Sequence, residues 1–195
     1  MPWSASPDGS ALLLVDAASL SDVNLATLDL ARNEGIKPLL NLPESVTEPS
    51  LSPNGQWLAS FEARGNGRPE VNIRPYPDVQ QQRRPVGPGL APVFSRDGSE
   101  LLVFDGEGLS AATVQYSPVR VGALKKLFRG KYWYGIAGPD GSLGRAWDVD
   151  SKNDRFLMIT MPDESAAVPE APAPRTQIKV VLNWFEELER RLPKS

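Results

Sequence analysis

Short apolar runs separated by turn residues make up most of this chain, and the runs return in the same order after the same kind of turn. Ser6-Pro7-Asp8-Gly9 precedes Ala11-Leu12-Leu13-Leu14-Val15, and Ser52-Pro53-Asn54-Gly55 precedes Trp57-Leu58-Ala59-Ser60-Phe61. Ser95-Arg96-Asp97-Gly98 stands before Leu101-Leu102-Val103-Phe104, and a degenerate copy, Asp150-Ser151-Lys152-Asn153, before Phe156-Leu157-Met158-Ile159. Ser suits the first place of a type I turn, Pro presets φ at the second, and Asp or Asn bonds nearby backbone at the third. Gly at the fourth takes the left-handed conformation that closes a hairpin, and Asn153 is the substitute that best tolerates it. Each tetrad therefore predicts a hairpin tip.

The last tip residues are 46, 43 and 55 positions apart. A period of about 40–45 residues, each holding several short strands, is the pattern of a β-propeller blade. In the second repeat, strands are expected at 46–51, 56–63, 70–74 and 80–84, with Gly65-Asn66-Gly67 as a turn. The first repeat predicts strands at 11–15, 23–30 and 36–40, and the third at 90–94, 100–104, 109–116 and 124–128. A β-sandwich spaces strands similarly, but it does not usually repeat one tip before one strand. Trp3, Trp57 and Trp147 fall at comparable places beside blade strands and are expected to wedge between adjacent sheets.

The rhythm changes after residue 162. Residues 163–175 form a Pro/Ala/acidic stretch, expected to be extended and mobile because it has no means of packing a core. Residues 177–182 are rich in β-branched side chains and read as a strand. Asn183 followed by Glu186 then marks the start of a short helix over 184–192, closed by Pro193, with Trp184 and Phe185 docking it on the last blade. One continuous helix from Ile178 is the alternative, since 178, 181, 182, 185, 188 and 192 fit one helical face. The expected organisation is an all-β, partial propeller of about four antiparallel blades over 1–162, a mobile loop over 163–175, and a last strand with a short capping helix over 176–195. The blades are placed at about 1–42, 43–87, 88–138, and 139–162 completed by 176–183.

Composition narrows the chemistry. Nineteen prolines and 16 glycines in 195 residues amount to about 18% of the chain against about 12% in ordinary proteins, which suits frequent turns and disfavours long helices. With no Cys and no His, thiol nucleophiles, disulfides, Cys- or His-ligated zinc and His-based catalytic relays are all excluded. The net charge of −3 is small but unevenly spread: residues 1–62 hold eight acids and two bases, residues 108–139 five bases and no acid. The longest apolar run is the five residues from Ala11 to Val15, far short of the roughly 20 needed for a membrane-spanning helix, and no charged-then-apolar leader opens the chain.

At these tetrads the chain resembles the TolB-like, WD-repeat-like bacterial propellers. The ordered set Leu127-Phe128-Arg129-Gly130-Lys131-Tyr132, Trp147-Asp148-Val149, Arg155 to Ile159, and Ile178 to Leu188 resembles the closing segment of propeller regions at the C-termini of bacterial serine/threonine protein kinases. The resemblance covers nearly the whole chain. It implies a propeller used for ligand sensing or protein contacts, and an extracytoplasmic location if the chain belongs to a membrane-bound kinase. Four blades, the first lacking most of its innermost strand and the last lacking a fourth, suggest the distal part of a larger propeller or a truncated reading frame, with exposed strand edges open to pairing.

Other chemistry is weaker. Gly65-Asn66-Gly67 opens like a phosphate-binding loop, but Glu70 occupies the third glycine's place and no kinase catalytic loop follows. Asp148, Asp150 and Asp154 lie close in sequence, yet Lys152 and Asn153 stand where a calcium loop needs an acid and a glycine. Arg120, Lys125, Lys126, Arg129 and Lys131 leading into Tyr132-Trp133-Tyr134 suit an outer strand with solvated charges better than a nucleic-acid surface. The sequence thus assigns no catalytic, cofactor or metal residue. The expectation is a non-catalytic module for protein or small-ligand binding, with neither nucleic acid nor cofactor. The alternative is the accessory propeller of a prolyl-oligopeptidase-like hydrolase whose catalytic domain is not in this sequence, since there is no Gly-x-Ser-x-Gly elbow here.

Overall fold

Three tetrads fold into the same turn, and their chemistry explains the repeat. In each, the glycine N–H donates to the serine carbonyl: Gly9 to Ser6 at 2.9 Å, Gly55 to Ser52 at 2.8 Å and Gly98 to Ser95 at 2.9 Å. The serine hydroxyl donates to the third residue, Asp8, Asn54 or Asp97, at 2.6–2.7 Å. The same hydroxyl accepts the backbone N–H five residues on, from Ala11, Trp57 or Glu100, at 2.9–3.0 Å. The glycines sit at φ of 69–75°, where a Cβ is strained. Serine thus clamps both strand ends, which is why it leads each tetrad.

The computed structural model describes residues 2–19, 22–32, 34–63, 69–133, 145–150 and 155–160. They lie within one compact unit, Met1–Met161, and their regular elements are all strands. Strands β1 (Pro2–Ala5), β2 (Ala11–Ser19), β3 (Asp22–Asp29) and β4 (Ile36–Leu40) form the first sheet in that order. The second is built in the same way from β5 (Val46–Leu51), β6 (Trp57–Ala63), β7 (Pro69–Pro75) and β8 (Arg84–Pro88). The third holds β9 (Leu90–Phe94), β10 (Glu100–Phe104) and β11 (Gly108–Tyr116); β11 pairs with both β12 (Val119–Val121) and β13 (Lys125–Arg129). In the fourth, β14 (Tyr132–Trp133) and β15 (Trp147–Asp150) both pair with β16 (Arg155–Thr160). Every pairing is antiparallel, and this is an all-β, propeller-type architecture of four blades.

Two expectations are corrected. The first blade does have an innermost strand: β1 reaches Leu12–Leu14 of β2 across a bulge between Pro2 and Ser4. Its four residues and that bulge left no alternation to read. The outer strand of the second blade is Arg84–Pro88 rather than 80–84; Pro85 and Pro88 are tolerated because this is an edge strand. The expected loop over 163–175, the strand over 177–182 and the helix over 184–192 lie outside the described residues, as do the Gly65-Asn66-Gly67 turn and the degenerate fourth tip.

Blades stack through alternating faces. On β2, Leu13 and Val15 face the second blade, packing with Leu58, Val46 and Val79, while Trp3 packs on the same cluster. On β6, Ala59 turns with Val71 and Ile73 toward Phe94, Leu101 and Val103 of the third blade, with Trp57 and Tyr116 at its margin. On β10, Leu102 and Phe104 meet Trp147, Phe156 and Met158 of the fourth. The three tryptophans therefore do sit in clusters shared by neighbouring sheets. Tyr116 ties two blades further: its ring lies 6.3 Å from that of Trp57, and its hydroxyl donates to the Gly98 carbonyl at 2.7 Å.

Candidate functional site

Period-2 alternation usually sends polar residues to water, but both faces of a middle blade are covered. The second blade therefore buries Ser60, Glu62, Asn72 and Arg74 on the face that also carries Leu58. Arg74 donates through Nε and Nη2 to Glu62 Oε1 at 3.2 and 3.0 Å, and through Nη1 to the Val79 carbonyl at 3.3 Å. Arg83 Nε lies 3.2 Å from the other Glu62 oxygen and donates to Asn72 Oδ1 at 2.9 Å, while its Nη2 pairs with Glu70. Both Glu62 oxygens thus meet a guanidinium. A cavity of about 270 Å³ opens on this network, bounded also by Leu42 and Glu44. Its arginine donors are taken up within the protein, so the network acts first as an internal brace.

On the innermost strands, Glu48 has φ of 57° and its carboxylate is buried. It accepts the N–H of Ala91, itself at φ 48°, at 2.6 Å. Both residues precede a proline, and both sit at a break in the strand register. Glu48 of one blade thus caps an inner-strand donor of the next. Burial pushes its carboxyl above the usual 4.5, against the Ala91 hydrogen bond and the positive charge of Arg145. Arg145 lies over the Trp147 ring, 5.6 Å from its centre, and donates to the Trp147 carbonyl at 2.8 Å and to Asp148 at 3.2 Å.

A larger groove, about 800 Å³, lies between the third and fourth blades. Its apolar floor is Leu102, Leu127, Val149 and Phe156; Ser95, Arg96, Asp97, Ser99 and Glu100 give it a polar side. Sequence reasoning missed it because β10, β13, β15 and β16 supply its floor from residues spread along 54 positions of the chain, Leu102 to Phe156. The strongly lowered Asp97 carboxyl, about 2, reflects the Ser95 hydroxyl first and then the Ser99 backbone and hydroxyl. Its charge is thus fixed at the rim at any ordinary pH.

Part of the basic stretch lies on an outer strand, where it was expected. Lys125, Lys126 and Arg129 lie on outer strand β13; Lys126 pairs with Asp105, and Arg129 with Glu107 at 2.9 Å. Tyr132 packs between blades, edge-on to Phe128 with centroids 5.8 Å apart. Asp148 binds Arg145, and no group of three acidic side chains suited to a metal occurs among the described residues.

With this geometry, four antiparallel sheets stacked in turn through shared apolar clusters, the class is that of β-propellers. No protein-family model matches the chain, and no curated protein sequence matches it. Among solved structures, it is similar to TolB from Acinetobacter baumannii, with 15% identity and a TM-score of 0.58 over 85% of this chain and 38% of that one. A puromycin-hydrolyzing peptidase of Mycobacterium tuberculosis has 17% identity and a TM-score of 0.55, over 80% of this chain and 27% of that one. A puromycin hydrolase reaches 15% and 0.51, over 83% and 30%. The chain therefore spans less than two-fifths of the length of these proteins, and at such identities the likeness is one of fold.

Proposed function

We propose that this chain is a non-catalytic propeller segment for protein contacts or ligand sensing, the distal part of a larger TolB-like propeller of the kind attached to bacterial serine/threonine kinases. The groove between the third and fourth blades carries the reading. At about 800 Å³ it is of the size that holds small ligands or a short peptide, roughly 300–1,000 Å³, with an apolar floor and a few polar groups for orientation. The lack of any His or Cys removes the commonest nucleophile relays. The kinase context rests on the ordered segments from Leu127 to Leu188.

Selection of phage-displayed peptides against the folded chain tests the groove. Binders are expected to be lost on Leu127→Asp, an exposed position, and weakened by Arg96→Glu. Selected peptides indifferent to both changes overturn the assignment. The second reading, an accessory propeller of a prolyl-oligopeptidase-like hydrolase, is favoured by the fit to the mycobacterial peptidase, nearly as good as that to TolB. Flanking genomic sequence separates them: an in-frame kinase catalytic loop supports the first, a hydrolase nucleophile elbow the second. Among the described residues, no helix is long and apolar enough to cross a membrane.

A further inference from the structure

The interface between the second and third blades shows what fills the space that the groove leaves open one interface later. Two residues past the tip glycine Gly55, Trp57 faces the third blade, packs on the cluster of Ala59, Val71 and Leu101, and holds its ring 6.3 Å from that of Tyr116. The same position in the third blade, two past Gly98, is Glu100, which lines the groove beside Leu102. A carboxylate thus stands where an indole wedges the interface before. Trp147 does enter the interface of the third and fourth blades, but it is buried with Ala91, Leu102 and Phe104 and does not line the groove. The floor of Leu102, Val149 and Phe156 therefore lies open where the neighbouring interface holds a ring.

Three features say what the space takes. Its floor includes the Phe156 ring, already met by Phe128 at 5.3 Å between centroids, and rings pair favourably at about 4.5–7 Å. Arg96 and Glu100 bring opposite charges to the rim, and neither side chain has a partner among the described residues, whereas Asp97 is committed to the hydroxyls of Ser95 and Ser99. The groove also runs from the third tip to Leu127 on β13, with β11 lying between β10 and β13. At ordinary strand spacing that is about 10 Å, the reach of about three extended residues and more than a lone ring covers. We propose that the groove binds an extended segment of a partner protein in which an aromatic residue stands beside a basic one: the ring lies on Leu102, Val149 and Phe156, as Trp57 lies in the interface before, and the base pairs with Glu100. Arg96 donates to a backbone carbonyl of the same segment. An aromatic anchor in a desolvated pocket carries much of the energy of such contacts. This deepens the proposed function, on which it rests, by naming the chemistry of the ligand.

The test titrates the whole chain into labelled pentapeptides, Gly-Gly-Trp-Lys-Gly and its versions with Leu for Trp or Glu for Lys, and reads fluorescence anisotropy at low salt. The parent peptide is expected to bind about tenfold tighter than the Leu version, through the ring contacts. It is expected to bind about two- to fivefold tighter than the Glu version, the worth of an exposed ion pair. Glu100→Gln is expected to keep the preference for Trp and lose that for Lys. Glu100→Trp supplies the ring from the chain itself, as the second blade does, and is expected to abolish binding of all three peptides while circular dichroism and Tm show a fold at least as stable as the wild type's. No Trp preference in the wild type, or binding undisturbed by a folded Glu100→Trp variant, overturns the proposal; a Lys preference that survives Glu100→Gln overturns the pairing with Glu100. Phage-selected peptides that lack an aromatic and basic pair, yet are lost on Leu127→Asp, would leave the proposed function standing while this inference falls. Selected peptides indifferent to every groove substitution would remove both.

Discussion

The second blade turns Leu58, Ser60, Glu62, Asn72 and Arg74 toward the first blade, and Trp57, Ala59, Val71 and Ile73 toward the third. Burial is similarly complete on both sides, with Ser60, Asn72, Ala59, Val71 and Ile73 all at 0% exposure. What differs is how each face resists disruption. The apolar face depends on filling volume; the polar face depends on every charge keeping its partner. A buried ion pair adds little stability over a well-packed apolar pair, yet losing one member is severe because the other is stranded. The polar network therefore braces the second blade's own strands more than it strengthens the contact between blades.

The largest effect is expected from Glu62→Ala, which strands Arg74 beside an emptied site and should lower unfolding stability by about 3–5 kcal/mol. Replacing the pair together, Glu62→Leu with Arg74→Met, should recover most of that loss in urea titrations. If the double change is as damaging as the single, the polar face contributes net stability after all. On the other side, Ile73→Ala should reduce stability by about 2–5 kcal/mol through transfer and cavity terms, and no partner substitution of a charged residue should rescue it.

Glu48 is the exception that sharpens the contrast, a carboxylate from the second blade reaching the third. Its carboxyl is raised above 4.5 by burial, so the protonated form is favoured in the folded state. Its contribution to stability is complete below the unfolded value and is lost as pH rises through the folded one. Glu48→Gln keeps an acceptor for Ala91 and removes the charge. Its stability is expected to fall less than the wild type's between pH 4 and 7, measured by denaturant midpoints across that range. The smallest effect belongs to Ser60→Ala. Ser60 Oγ and Asn72 Nδ2, on directly opposed residues, are buried without hydrogen-bond partners, so removing the hydroxyl should change stability by less than about 1 kcal/mol or raise it slightly.

The contrast between the two faces also marks the limit of what could be read from sequence. Hairpin tips were legible because their chemistry is local: one serine, one Asp or Asn and one glycine satisfy each other within five residues. The apolar second strands followed from them. Glu62 and Arg74 are 12 residues apart in sequence and occupy places that alternation assigns to water; only the arrival of another blade buries them. The groove was hidden for the same reason. The edge strand Arg84-Pro85-Val86-Gly87-Pro88 shows no periodicity because an edge strand needs none.

In the first three blades, the four successive strands β1 to β4 and β5 to β8, and β9 to β11, pair in the order in which they occur in the chain. No strand within these sheets waits for a distant segment before it can pair. Sequence separation between partners is the variable that most slows folding among small β proteins, because loop closure must precede long-range reward. A meander of this kind keeps that separation short, so each blade is able to assemble as its residues become available, with the inter-blade faces then adding nearest-neighbour stability. The serine-led tips, beyond terminating strands, give each of the first three blades its own starting point for that assembly.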